Sequence, residues 1–130
     1  MKNQLTVFPA IFTITNNNYD VEFIDLKRCV THGKSLQNAY EMAQEAMGLY
    51  LDNMTNFPKP TLDISKIKLE KNQFISYVSI NMDEYRKKHN NKSIKKTLTI
   101  PEWLNYLAEK NNINFSQVLQ EALKDKLNID

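Results

Sequence analysis

The segment Ser93–Asp130 is too small to fold alone and too apolar to remain open, and this conflict constrains the chain more than any other feature. Ile94, Leu98 and Ile100 fall on one face of an extended stretch, with Lys95, Thr97 and Thr99 on the other. Pro101 stops that strand and opens a helix in its first turn, where a missing N–H removes no bond. Trp103, Leu104 and Leu107 give the helix an apolar side, and Asn111 and Asn112 break it. Asn114 is positioned to cap a second helix with a stripe of Val118, Leu119, Ala122, Leu123 and Leu127. One strand and two helices in roughly 38 residues fall below the ~40 at which a domain usually manages without metals, disulfides or oligomerisation. Cys29 is the single cysteine, and His32 and His89 are the two histidines, so neither a disulfide nor a soft-ligand zinc site is available.

A two-fold dimer resolves the conflict. Strand 94–100 pairs antiparallel with its copy, and the four helices pack beneath it. The expected architecture of residues 94–130 is therefore a dimerising ribbon-helix-helix with Ile94, Leu98, Ile100, Trp103, Val118, Leu119 and Leu123 as its shared core. A two-stranded ribbon fits the major groove of B-DNA, and its outer row here is Lys95, Thr97 and Thr99. Lysine donates to guanine O6 and N7, while threonine offers a hydroxyl to base edges and a methyl group to thymine. Backbone N–H groups at Asn114, Phe115 and Ser116 suit a flanking phosphate, and Lys92 and Lys96 add two cations. Simple capping by Asn114 and Ser116 is compatible with that role.

Net charge is +2, and only its distribution is informative. Residues 1–82 carry eight Lys/Arg against eight Asp/Glu, whereas the run Arg86, Lys87, Lys88, Lys92, Lys95, Lys96 contains no acid. The stretch 83–93 thus reads as a basic linker and residues 1–82 as a separate small domain. Within that domain, Leu5–Thr15 is rich in β-branched and aromatic residues and reads as a strand buried on two sides, with Pro9 marking an edge or bulge. Asn16–Asn18 form a turn, and Tyr19, Val21 and Phe23 alternate with Asp20 and Glu22 as a half-exposed strand. Cys29–His32 makes a third strand, Ser35 caps a helix through Tyr50 and Met54, residues 55–71 form a loop with room for one short strand, and Phe74–Met82 is a fourth strand. Asp83 then caps a short helical stretch through Tyr85. The order is that of a small α+β domain.

Two constellations invite catalysis. Cys29 and His32 have the residue types of a nucleophile and base, but three positions apart in an extended strand they point to opposite faces. Asp20 and Glu22 share a face and have the chemistry for a divalent metal and nucleic-acid hydrolysis, or for nothing more than a solvated edge. No catalytic or metal-ligating set is assigned, and no cofactor is expected. The polar residues in the first 15 positions and the lack of an apolar run near ~20 residues favour a cytoplasmic protein with no membrane partner.

Pro9-Ala10-Ile11-Phe12, the run Tyr19–Leu26, Cys29-Val30-Thr31, Gly33 and Ser35-Leu36 before an Ala-rich helix resemble the N-terminal domain of HicB-type antitoxins, whose pattern is P-A-x-F then Y-x-V-x-F-P-D-L-P-G-C-x-T-x-G. Asp83–Lys92, Lys95–Pro101 and Asn114–Leu123 resemble the HicB variant that ends in a ribbon-helix-helix. The resemblance implies a partial ribonuclease-H-like domain that blocks a HicA-type toxin, a small messenger-RNA-degrading protein. It also implies a C-terminal domain that represses the toxin–antitoxin operon on double-stranded operator DNA as a dimer or dimer of dimers. Ribonuclease H enzymes need acidic residues beginning on their first strand; Leu5–Thr15 has none, so the domain reads as catalytically empty. Lys27-Arg28 stand where the family has Pro-Gly, and Ile24 where it often has proline. The alternative is a stand-alone ribbon-helix-helix repressor whose first domain senses a small molecule. A polar residue in place of Leu98 or Ile100 is expected to unfold the C-terminal segment, because each dimer stacks both copies in one small core; calorimetric melting checks this, and a normal thermal transition refutes the ribbon.

Overall fold

A computed structural model describes residues 4–129; residues 1–3 and 130, the outermost ends of the two expected domains, lie outside the described residues. The architecture is mixed α/β, with one four-stranded antiparallel sheet and four α-helices. It divides into two compact units, Leu5–Asn91 and a second built on the residues from Lys92 onward.

In the first unit the strands are β1 (Thr6–Thr15), β2 (Asn18–Phe23), β3 (Val30–Gly33) and β4 (Gln73–Ile80), in the spatial order β3-β2-β1-β4. Asn16 and Asn17 form the two-residue β1–β2 connection with φ of 43° and 70°. Positive φ at both central residues is what a type I′ hairpin demands, and asparagine tolerates it. β1 is central and not an edge, contrary to the reading of Pro9. The reason lies in the ladder: Pro9 carbonyl accepts from Ile24 N at 3.3 Å, so the side on which proline lacks its N–H faces β2 beyond the last paired residue, Phe23. No ladder bond is forfeited. Nor is β1 buried on two sides along its length: Phe8, Ala10 and Phe12 are buried on one face, while on the other only Pro9 is buried and Val7, Ile11 and Thr13 are not.

Helix α1 (Leu36–Asp52) covers the buried face through Ala39, Ala43, Met47 and Leu51. Ser35 caps it, its side chain accepting from Asn38 N at 3.1 Å. Gly33 and Ala39 are small because they meet: a Cβ on Gly33 would fall 2.4 Å from Ala39 N. The chain from α1 to β4 contains a single 3-10 turn, Ile64–Lys66, in place of a short strand, and is tied back where Thr61 N and Oγ1 donate to Asp25 at 2.8 and 2.6 Å. On β4, Ser79 N donates to Tyr40 Oη at 3.2 Å and its carbonyl accepts from Gln44 Nε2 at 2.8 Å, so two α1 side chains cover main-chain groups that point away from β1.

Helix α2 (Met82–His89) is capped by Asn81, not Asp83, and runs past Tyr85 through most of the expected linker. Met82 and Tyr85 join the core, so the first unit ends after Asn91 and not at residue 82. Gly48 makes this possible: a Cβ there would lie 2.5 Å from the Tyr85 ring. A helical glycine costs about 1 kcal/mol, and the burial of a whole aromatic ring outweighs it. Arg86 Nε binds Asp52 Oδ1 at 3.1 Å, and His89 binds Glu45 at 3.3 Å and the Tyr85 carbonyl at 2.9 Å, which fastens α2 to α1 along its length.

In the second unit, α3 (Glu102–Lys110) follows Pro101 and α4 (Phe115–Leu127) follows the cap Asn114. Between them Asn112 has φ 56°, Asn112 N donates to Glu109 O and Ile113 N to Ala108 O, a Schellman closure. Among the described residues, 94–100 pair with no strand of the same chain. No described residue from Lys92 onward is buried.

The turn before Cys29 explains the Lys27-Arg28 departure. Cys29 N donates to Leu26 O at 3.1 Å and Arg28 sits at φ 66°, the third position of a turn that glycine fills without strain. Arg28→Gly is expected to raise stability by about 0.5–1 kcal/mol, since relief of a left-handed non-glycine residue (~1–2 kcal/mol) exceeds the added freedom of the unfolded chain. The urea midpoint checks it; a lower midpoint contradicts the strain.

Candidate functional site

The residues expected to meet DNA are all on the surface. Lys92, Lys95, Lys96, Thr97 and Thr99 are exposed, as are Asn114, Phe115 and Ser116 at the start of α4. Asn114 Oδ1 accepts from Gln117 N at 3.1 Å, which is the capping role read from the sequence. Val118 N donates to the Asn114 carbonyl at 3.0 Å, and the amides of Phe115 and Ser116 lie at the positive end of the α4 dipole. The residues expected to form a shared core are exposed too: Ile94 at 83%, Trp103 at 65%, and Leu98, Ile100, Val118 and Leu123 similarly, with Leu119 half-buried. A single chain does not bring these apolar side chains together into an interior.

The catalytic alternatives separate in the fold. Cys29 is in the core and His32 is exposed on the opposite side of the sheet. Burial pushes the Cys29 thiol up to about 11, so near neutral pH it stays protonated and is a poor nucleophile. Asp20 and Glu22 do share the uncovered sheet face, where Asp20 is paired with His32 and Glu22 with Val30 across the β2–β3 ladder. Together with Thr13 they line a hollow of about 450 Å³. Among the described residues no three His, Cys, Asp or Glu side chains come close enough to hold a metal ion. No described helix is long and apolar enough to cross a membrane.

One cluster was not singled out from the sequence. Glu41 and Glu45 of α1 and Glu84 of α2 line a groove of about 680 Å³ together with Met42, Ile80 and Lys88. The signal was present as an absence: α1 contains no lysine or arginine. Nearby, Tyr85 is 8% exposed, and its phenol is held above its ordinary range chiefly by burial and further by Glu45 and Asp52.

Comparison with known proteins adds to this geometry. No family model matches the chain, and no curated protein matches it. Among solved structures, a chain of a toxin–antitoxin complex from Streptococcus pneumoniae is 30% identical, with 95% of this chain and 99% of that one covered and a TM-score of 0.58. The crystal structure of the antitoxin HicB3 is 22% identical, covering 93% of this chain and 97% of that one at a TM-score of 0.51, a likeness of fold. Both alignments span the two units, and neither leaves a large part of its counterpart unmatched.

The buried thiol yields a direct check. Iodoacetamide at mildly alkaline pH is expected to leave Cys29 unmodified in the folded protein and to alkylate it in urea, as read by intact mass. The raised pKa also means that the unfolded chain loses this proton first, so the thiol's contribution to stability is complete below pH 9 and declines as pH rises toward about 11.

Proposed function

We propose that this chain, similar over 95% of its length to a chain of a toxin–antitoxin complex, is a HicB-type antitoxin that binds and neutralises a HicA-type messenger-RNA-cleaving toxin and represses its own operon on operator DNA. In this reading the first unit is a partial ribonuclease-H-like domain that has kept the sheet and lost the chemistry, since β1 carries no acidic residue. It holds protein. The second unit is half of a ribbon-helix-helix and holds DNA.

The observation that carries the DNA half is the exposure of Ile94, Leu98, Ile100, Trp103, Val118 and Leu123 in a segment without a single buried residue. Burying a large apolar side chain stabilises by about 1.5–3 kcal/mol, so a second copy that covers these rows supplies the missing interior. Antiparallel pairing of residues 94–100 with their copy would satisfy the unpaired main chain there. It would also turn Lys95, Thr97 and Thr99 outward together, with phosphates received at Asn114, Phe115 and Ser116 and by Lys92 and Lys96. A dimer of dimers would span two half-sites.

Lys95→Ala and Thr97→Ala are each expected to weaken binding to the DNA upstream of the gene by about 1–3 kcal/mol without dissociating the dimer. Fluorescence anisotropy on that DNA and on a scrambled duplex, with sedimentation for the dimer, checks it. Loss of equal size on both duplexes contradicts base readout. Wild-type affinity should fall steeply with salt.

A further inference from the structure

Tyr106 of α3 stands apart from the apolar rows that a second strand 94–100 would help to cover. It is 63% exposed and lies about 160° around the helix from Leu104 and about 100° from Leu107, two of the residues that form the apolar side of α3. Four positions before it is Glu102 and four after it is Lys110, both exposed, so acid, aromatic ring and base follow one another down a single stripe at one-turn spacing. Lys110 Nζ rests 5.9 Å from the Tyr106 ring centroid, a contact that leaves the ammonium's three donors available. Neither Glu102 nor Lys110 takes part in an ion pair among the described residues, whereas Glu109, the other acid of α3, accepts from Asn105 Nδ2 at 3.1 Å. The helix dipole accounts for an acid in the first turn and a lysine in the last. It gives no reason for an exposed tyrosine midway between them.

We infer that this stripe is the surface by which two ribbon dimers meet, the α3 of one lying antiparallel on the α3 of the other; the inference rests on the ribbon reading of the second unit. At a rise of 1.5 Å per residue, Glu102 and Lys110 stand about 12 Å apart along the helix with Tyr106 halfway. A two-fold axis through Tyr106 therefore sets Glu102 against the copy's Lys110, Lys110 against the copy's Glu102, and ring beside ring. Parallel pairing would set acid on acid and base on base. The order of charges also selects the occupant: a partner of one sign satisfies one end of the stripe and is repelled at the other, whereas a reversed copy satisfies both. Each dimer carries two such stripes, so association proceeds in steps of two chains and joins two ribbons in one assembly, as a site of two half-sites demands.

The test is sedimentation velocity on the full-length protein without DNA, at low salt and across a wide range of concentration. Wild type is expected to associate beyond the dimer as concentration rises. Glu102→Lys and Lys110→Glu are each expected to raise the dissociation constant of that step at least about tenfold, because a two-fold contact loses both of its charge pairs at once, with the gap narrowing as salt rises. An equimolar mixture of the two variants is expected to associate like wild type, since each then meets its opposite at both ends. Tyr106→Ala is expected to remain a dimer where wild type does not, with circular dichroism verifying its helices; should it not fold, the mixture carries the test. A wild type that stops at the dimer, a folded variant that associates normally, or a mixture that stays apart overturns the α3 assignment and leaves the ribbon reading intact. A monomeric wild type overturns both.

Discussion

Apolar side chains without an interior govern how this protein can exist. From Lys92 onward the sequence supplies the residues of a core, in the alternation of a strand and the stripes of two helices, yet one chain leaves Ile94, Leu98, Trp103 and Val118 in solvent. Contiguous exposed apolar surface of that kind commonly marks an interaction site, and the proposed pairing of two copies would cover it. Every other property proposed for that end of the molecule is downstream: a groove-reading row of Lys95, Thr97 and Thr99 exists as a row only if two strands lie side by side. In the proposed dimer, folding, oligomerisation and DNA recognition would be one equilibrium, sensitive to protein concentration as a whole.

The first unit solves the same problem within itself. One long helix with small residues at Ala39 and Ala43 lies close on the sheet, and Gly48 leaves a notch that the Tyr85 ring fills. The notch draws α2 into the core, and the Asp52–Arg86 and Glu45–His89 pairs hold its exposed side.

Much of this was legible in the residues. The double asparagine fixed the hairpin, Ser35 and Asn114 fixed two helix starts, Pro101 fixed a third, and the family likeness of Pro9–Phe12 and Tyr19–Leu26 pointed to the antitoxin fold. What escaped were properties of pairing and proximity. Proline is barred from a ladder only on the side where its N–H would point, and which side that is depends on where β2 ends. A run of cations reads as a linker until a tyrosine inside it finds a glycine on another helix. Counting charge along residues 1–82 gives balance, whereas a helix that excludes cations and a connection that collects them can be seen only after folding has set them apart. The outward row Lys95, Thr97 and Thr99 was nameable early because an extended segment alternates by rule; the cluster of Glu41, Glu45 and Glu84 was not, because it joins side chains about forty positions apart.

The side-chain bonds to Ser79 on β4 have a consequence for how the sheet meets other copies of itself. A sheet of four strands has two open rims, and a rim with free amides and carbonyls is a template on which identical molecules can stack into fibres. Here one rim, β3, is only four residues long, and on the other Tyr40 and Gln44 already occupy the amide and carbonyl of Ser79. Both rims therefore offer less purchase for sheet extension than a long, unoccupied edge would.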